Sequence, residues 1–501
     1  MNLLDQAIAW ISPKAGLERA RARVVLSNVQ QLAYEGAKMK RAAGWTRSGG
    51  SANAETAEGM KALRDGARDF VRNNSLASSA MIQFQTKLVG TGIRPQADTG
   101  NQRWNELLDD GFEEWARRTK YYAMQSLAAR SIPEAGECML QMRQSRNASL
   151  PVPLEFDLLE ADHIDHLKSG RNGNNHITQG IEFSETGEEV AVWVFRAHPG
   201  DMTNPDGRWF RSLQSERIPV RSRNPLEGLV RGFRQDRPEQ IRGVSWFAPV
   251  MTALWDLSGY EEAERVRKRI EACLAAFVTS PAEAPGDIAL GPQNTDGVTG
   301  LINEEFGPGV ISRLRPGEQV TIAEPKASGG YIDFTRRQDR LIAVGLGLLY
   351  ELLAGDLSLI NYSSYRGGLV GLRDWIEVIQ YNLLIPFCCD PVWDRYVTAA
   401  KIAGIVPPSA SSRVKWCPPY FDFLDREAEA KADQAEMRNG TATWDQTVGR
   451  RGYDPTRQAR EIANRNFNFD ELGIILDCDP RNTAGNGAAR VYQQPQQQQS
   501  Q

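Results

Sequence analysis

Cysteine is scarce in this 501-residue chain and badly spaced for chemistry: six stand at 138, 273, 388, 389, 417 and 478, with no CxxC pair. Adjacent Cys388 and Cys389 are poorly placed to ligate one zinc together, so the set reads as reduced core thiols of a cytosolic chain. Histidine is scarcer still, with four residues at 163, 166, 176 and 198. Asp162-His163-Ile164-Asp165-His166 reads as a metal site or as a polar surface turn. On a strand the two imidazoles would point to opposite faces, and no third ligand group is obvious. No GxxxxGK[ST] loop exists, which argues against ATP hydrolysis by the chain itself. No apolar run reaches the roughly 18 residues of a membrane span. Asp5 sits where a secretory signal carries Lys or Arg, so the N-terminus reads as a short amphipathic helix. Excess charge is missing too: 59 Lys and Arg against 63 Asp and Glu leave a net −4. That balance argues against a protein that wraps nucleic acid, whose affinity comes mainly from neutralised phosphates. It leaves room for one that DNA slides past. Ser363-Ser364 has no nearby histidine in sequence, and the carboxylates are spread at the spacings of solvated faces. No catalytic set emerges, and no metal or cofactor is implied.

With 41% hydrophobic and 24% charged residues, the composition is that of a globular protein long enough for two or more domains. Residues 14–50 are basic and polar, either a patch for DNA or an acidic partner or a solvated arm. Residues 55–90 read as helix, broken near Asn73-Asn74 and stopped at Gly90-Thr91-Gly92. Residues 101–148 read as helix with Trp104, Leu107, Leu108, Phe112 and Trp115 on one face. Short alternating runs from 150 to 245 read as strands, so this part is α+β. From Trp246 to Phe277 apolar residues keep helical spacing, for a helix on the order of 50 Å long. Such a rod must lie along other helices, most simply those of neighbouring copies. Its centre is densely charged: Glu261, Glu262, Arg265, Lys268 and Arg269. Helical spacing favours pairing within the helix. Residues 280–333 are rich in Pro and Gly, a small β-rich insertion before a second helix from Thr335 to Tyr350. That helix feeds the loop GDLSLINYSS, which carries only Asp356 as a charge. The Gln-rich tail has the composition of disorder.

These segments carry a resemblance. GLGLLYELLAGDLSLINYSSYRGGL resembles the signature of the lambda family of phage portal proteins, on Gly345, Gly347, Tyr350, Glu351, Gly355, Asp356, Asn361, Tyr362, Ser363 and Ser364. Leu348-Leu349 stands where the family has Val-Pro. The segments VRNNSLASSAMIQFQTKLVGTGIRPQ and RGVSWFAPVMTALWDLSGYEEAERVRKRIEACLAAFVTS also match. So do Arg315-Pro316-Gly317-Glu318, DPVWDRYVTAAKIAGIVP, and Trp416, Pro419, Asp425 and Glu427, with Arg426 where the family has Lys.

The resemblance implies a non-enzymatic, mainly helical α+β portal fold that forms a ring, usually twelve-fold, at one capsid vertex of a virion. Double-stranded DNA would be packaged through it by a terminase motor and later ejected. Expected partners are copies of itself, the terminase large subunit, major capsid and scaffold proteins, and head-completion adaptors; the alternative is a non-portal virion scaffold or adaptor. The implied parts are an arm and wing (1–245), a first stem helix (246–279), a clip (280–333) containing Arg315 and Glu318, and a second stem helix (334–350). A tunnel loop (351–364), a long helix returning to the wing (365–400), a crown (401–480) and a tail (481–501) complete it. Asp356, Ser358, Asn361, Tyr362, Ser363 and Ser364 would face DNA, with Asp356 multiplied into a ring of negative charge.

Overall fold

A computed structural model describes residues 49–201, 214–272, 276–279, 319–322, 330–419, 426–474, 476 and 481. Arg315, Glu318, the basic arm up to residue 48, most of the clip and the Gln-rich tail lie outside the described residues.

Helices α1 (Ala52–Asn73) and α2 (Ser75–Leu88) open the described chain. Between them Asn74 caps α2, its side chain accepting from the Ala77 N–H at 3.1 Å, as Asn does where a helix must restart. Strand β1 (Arg94–Ala97) precedes α3 (Gln102–Thr119) and α4 (Tyr121–Ala135). The helix expected to reach 148 stops at Gly136, and Glu137–Gln144 is strand β2. Gly136 has φ +90° and packs on the backbone of Gly243 and Val244, a close approach that only glycine permits. The helical face of α3 is also narrower than expected: Leu108, Phe112 and Trp115 are buried, whereas Leu107 is exposed.

The β-rich region forms two antiparallel sheets. In one, β2 is flanked by β3 (Leu154–Glu160) and β9 (Gly228–Phe233), with Leu140 opposite both Leu158 and Val230. The other is a five-stranded meander of β4 (Gly170–Asn172), β5 (Asn175–Thr178), β6 (Ile181–Phe183), β7 (Glu189–Phe195) and β8 (Ser215–Pro219). Met139, Ile164, Ile181, Val192, Val194 and Leu229 form a small core between them. Beside it Glu137 is buried among three arginines, with Arg242 Nε 2.8 Å away and Arg64 and Arg231 each 3.6 Å away. Burial pushes this carboxyl up, but Arg242, Arg231 and Arg64 outweigh burial and hold it below its ordinary range.

After a turn around Pro249 comes α5 (Met251–Ala272), which contains 22 residues, about 33 Å long. It is shorter than apolar spacing suggested at both ends. Ala276–Thr279 is strand β10, paired with β11 (Gln319–Ile322). Val278 and Thr279 are β-branched, and Ser280-Pro281 disfavours a continuing helix. Helix α6 (Tyr331–Leu346) returns alongside α5, with Tyr260 4.8 Å from Phe334 between ring centres.

The short α7 (Tyr350–Ala354) and a loop lead to α8 (Tyr362–Ile379), which continues through a π-helical segment (Gln380–Cys389) into α9 (Asp390–Ile402). This run drives back into the N-terminal helices. Phe112 lies 5.3 Å from Trp393 and 5.0 Å from Tyr396, and the Tyr121 hydroxyl donates to the Cys388 carbonyl at 2.8 Å. The main core thus joins residues far apart in sequence. Strand β12 (Val414–Cys417) pairs with β1, and α10 (Arg426–Asn439), α11 (Trp444–Arg450) and α12 (Pro455–Glu471) follow. Cys138, Cys388, Cys389 and Cys417 are buried free thiols.

Candidate functional site

The loop that carries the sequence motif begins where α6 is forced to end. Gly347 has φ +71°, and a β-carbon there would lie 2.9 Å from Trp375 Nε1. Glycine thus terminates the helix that lacks the family's proline. Leu348 and Leu353 are buried, and the Ser79 hydroxyl on α2 donates to the Leu353 carbonyl at 2.8 Å. The loop proper is therefore residues 355–361, shorter than the expected 351–364 at both ends. Tyr362, Ser363 and Ser364 lie in the first turn of α8, whose cap is Asn361, accepting from the Ser364 N–H at 2.8 Å.

Within the loop, Asp356 is an anchor. Its Oδ2 accepts from the Tyr350 hydroxyl at 2.7 Å and lies 3.3 Å from Arg336 Nη2 on α6. Its Oδ1 accepts from the Ser358 hydroxyl at 2.5 Å and the Ser358 N–H at 3.0 Å. The Ser358 hydroxyl, then Tyr350, then the Ser358 amide hold its carboxyl well below the usual range, with Arg336 adding to them. The carboxylate expected to stand out as a bare charge thus has a guanidinium beside it. Apolar groups are exposed beside the polar ones: Leu357 is 59% exposed and Leu359 69%, and Tyr362, Ser358, Asn361, Ser363 and Ser364 are exposed as well. Sequence reading did not single out the exposed leucines, and it missed Arg336, which lies a whole helix away from its partner.

On α5, Arg265 pairs with Glu262 at 3.2 Å and Arg267 pairs with Glu264. Lys268 and Arg269 are exposed. Glu261 faces the hairpin partner, where burial and then Glu261 push the Asp339 carboxyl up to about 6. The charged residues of α5 and the loop residues therefore form two separate groups.

Two other places gather ionisable groups. Glu160, Asp162 and His198 approach one another closely enough to share an ion. However, Arg68 Nη2 already lies 2.6 Å from Glu160 and 2.7 Å from Asp162, and Arg64 Nη1 lies 3.2 Å from Asp162. Guanidinium groups hold the position a cation would take. His163 stacks edge-on against His198, and His166 is not part of the group. A cleft of 1410 Å³ runs between β1, α3 and α12, lined by carboxylates and arginines. One of its acids, Asp109, accepts from the Ala97 N–H at 2.9 Å. Burial, and then Asp454, Asp110 and Glu113, raise it to about 7 against that hydrogen bond.

Comparison with known proteins gives one consistent family. The family model described as "Phage portal protein, lambda family" matches residues 38–380. The "Probable portal protein" of Halomonas phage phiHAP-1 is 25% identical over 460 residues, covering 86% of this chain and 85% of that one. The "Portal protein" of Escherichia phage N15 is 22% identical, covering 84% and 88%; "Portal protein B" of Escherichia phage lambda is 21% identical, covering 80% and 83%. Among solved structures, a chain from "Virion of native gene transfer agent (GTA) particle" aligns with a TM-score of 0.45 at 12% identity, over 81% of this chain and 94% of that chain.

Proposed function

This chain belongs to the lambda family of phage portal proteins, a component of the phage head-tail connector, and from that premise we propose that copies of it close into a twelve-fold ring at one capsid vertex. Double-stranded DNA enters through the ring under the terminase motor and leaves through it at ejection. Clip residues 280–333 receive the terminase large subunit and later the head-completion proteins. The capsid and scaffold proteins assemble against the outer part of the ring.

The observation that carries the DNA-channel reading is the loop at residues 355–361. Its single carboxylate is tied back, and Leu357 and Leu359 are exposed on it beside the uncharged Ser358 and Asn361. Leucine offers phosphates neither a cation to bind nor an anion to repel them. A duplex can pass such a tip without a strongly held position, which suits a translocation channel. Neutralised phosphates are what make protein–DNA contacts tight and salt-dependent. The test adds such a cation without disturbing the anchor. Leu359→Lys, at an exposed position, should assemble normally yet lower the yield of packaged DNA, most severely at low salt. A wild-type yield at every salt concentration would remove this loop from the DNA path. Asp356→Lys is the poorer test, because a lysine there meets Arg336 and releases the loop as well.

A further inference from the structure

Helices α5 and α6 bury one side of each rod against each other and against the main core, through Leu254, Leu257, Ile342, Ala343 and Leu346. Each leaves a second apolar stripe uncovered. On α5 it runs through Trp255, Gly259, Glu262 and Val266, with Trp255 70% exposed and nothing within reach of a β-carbon at Gly259. On α6 it runs through Phe334, Arg337, Leu341 and Val344, with Val344 75% exposed. Steps of four, three and four on one helix, and three, four and three on the other, are the spacing by which two helices interlock along a seam. An exposed tryptophan beside an open glycine is a knob with an adjacent notch.

Charge selects the occupant. The α5 stripe is flanked by the exposed carboxylate Asp256, while its Glu262 is already paired with Arg265, and the α6 stripe carries exposed Arg337 and Arg340. A second copy of this chain supplies the opposite stripe for both. Height agrees as well. Within one hairpin Val250 lies against Gly345 and Tyr260 against Phe334, so Trp255 and Asp256 stand level with the stretch from Arg337 to Leu341. Rotation about a ring axis along the stem preserves height, so the next copy presents that stretch to Trp255. We infer that Trp255 of one copy seats on Leu341 of its neighbour, with Asp256 facing Arg337, as a head-to-tail contact repeated around the ring. The inference rests on the ring reading above.

The test uses the full chain, with assembly followed by sedimentation and negative-stain imaging. Trp255→Ser should raise the concentration needed for rings at least tenfold, while helix content by circular dichroism stays that of wild type. Asp256→Arg and Arg337→Glu should each weaken assembly, and the double variant should restore it. A Trp255→Cys, Leu341→Cys chain should give a ladder of disulfide-linked copies on mild oxidation. Wild-type assembly by Trp255→Ser together with no ladder would overturn this seam while leaving the ring intact. Reversal variants that fail to rescue each other would overturn the Asp256–Arg337 contact. A wild-type chain that stays monomeric with its capsid partners present would overturn the ring itself.

Discussion

Asp109 makes the stability of the cleft beside α3 depend on pH. The carboxyl is pushed from 3.8 up to about 7, first by burial and then by Asp454, Asp110 and Glu113. Of these neighbours, Glu113 is partly neutralised by Arg94 at 3.3 Å, and Asp454 is spent capping α12 at the Thr456 N–H, 2.8 Å away. Tyr396, on the buried side, is itself raised to a high value by burial and by Asp109. Because the folded value lies above the unfolded one, stability is greatest below pH 3.8, where the group is protonated in both states. It falls as pH climbs to about 7 and levels off beyond. At about 1.4 kcal/mol per pH unit, the full loss is on the order of 4 kcal/mol as an upper bound. Asp109→Asn removes the ionisation and keeps an oxygen for the Ala97 N–H. The variant should therefore be more stable than wild type at pH 8 by up to about 4 kcal/mol, and equal to it at pH 3.5. Denaturant unfolding at several pH values measures this, with hydrogen exchange at the Ala97 amide as the local readout. An Asn-minus-Asp difference that does not change between pH 4 and pH 8 would refute the account.

Glu137→Ala leaves Arg242, Arg231 and Arg64 buried around an empty position. It should cost about 3–5 kcal/mol and give insoluble chain on expression, whereas losing an exposed pair such as Lys61–Asp65 should change an unfolding midpoint little. Gly347→Val forces a β-branched residue to φ +71° against Trp375. It should destabilise the turn by more than about 1 kcal/mol and expose the 350–354 segment to protease, where Gly355→Ala, with open space around it, should be milder. Asp356→Asn weakens the tie to Arg336 and Tyr350, so the Ser358 amide should exchange faster with solvent while the unfolding midpoint of the core stays put.

Element type was legible wherever local chemistry decides it. The Asn74 break, the stop after Leu88, the β-rich stretch and helices α5 and α6 were all written in turn residues and periodicity. Boundaries failed where two signals compete. Ala276–Thr279 continues the apolar spacing of α5 yet pairs with Gln319–Ile322, a partner some forty residues on that no local pattern announces. Glu137–Gln144 is apolar enough for a helix, and it becomes a central strand because Leu158 and Val230 flank it. The motif brackets a loop that is shorter than expected, and its polarity was read from composition. Whether Asp356 or Leu359 points outward depends on Arg336 and Tyr350. Those residues reach the loop only because Gly347 ends α6 where it does.

That dependence links the two proposed interfaces. Arg336, which holds the loop through Asp356, and Arg337 and Leu341, which form the seam, are on the same four turns of α6. Arg340 also rests over the ring of Tyr350, 5.3 Å from its centre, and Tyr350 in turn donates to Asp356, so α6 reaches the loop directly through Arg336 and indirectly through Arg340. In a closed ring, a small rotation of α6 about its own axis would loosen the seam on one side and the Arg336–Asp356 pair on the other. The loop cannot then move independently of the subunit contact. In the proposed ring, the loop would stay tied through Arg336 to a helix whose other face a neighbour holds. A duplex pressing on one loop would then load the next subunit through α6.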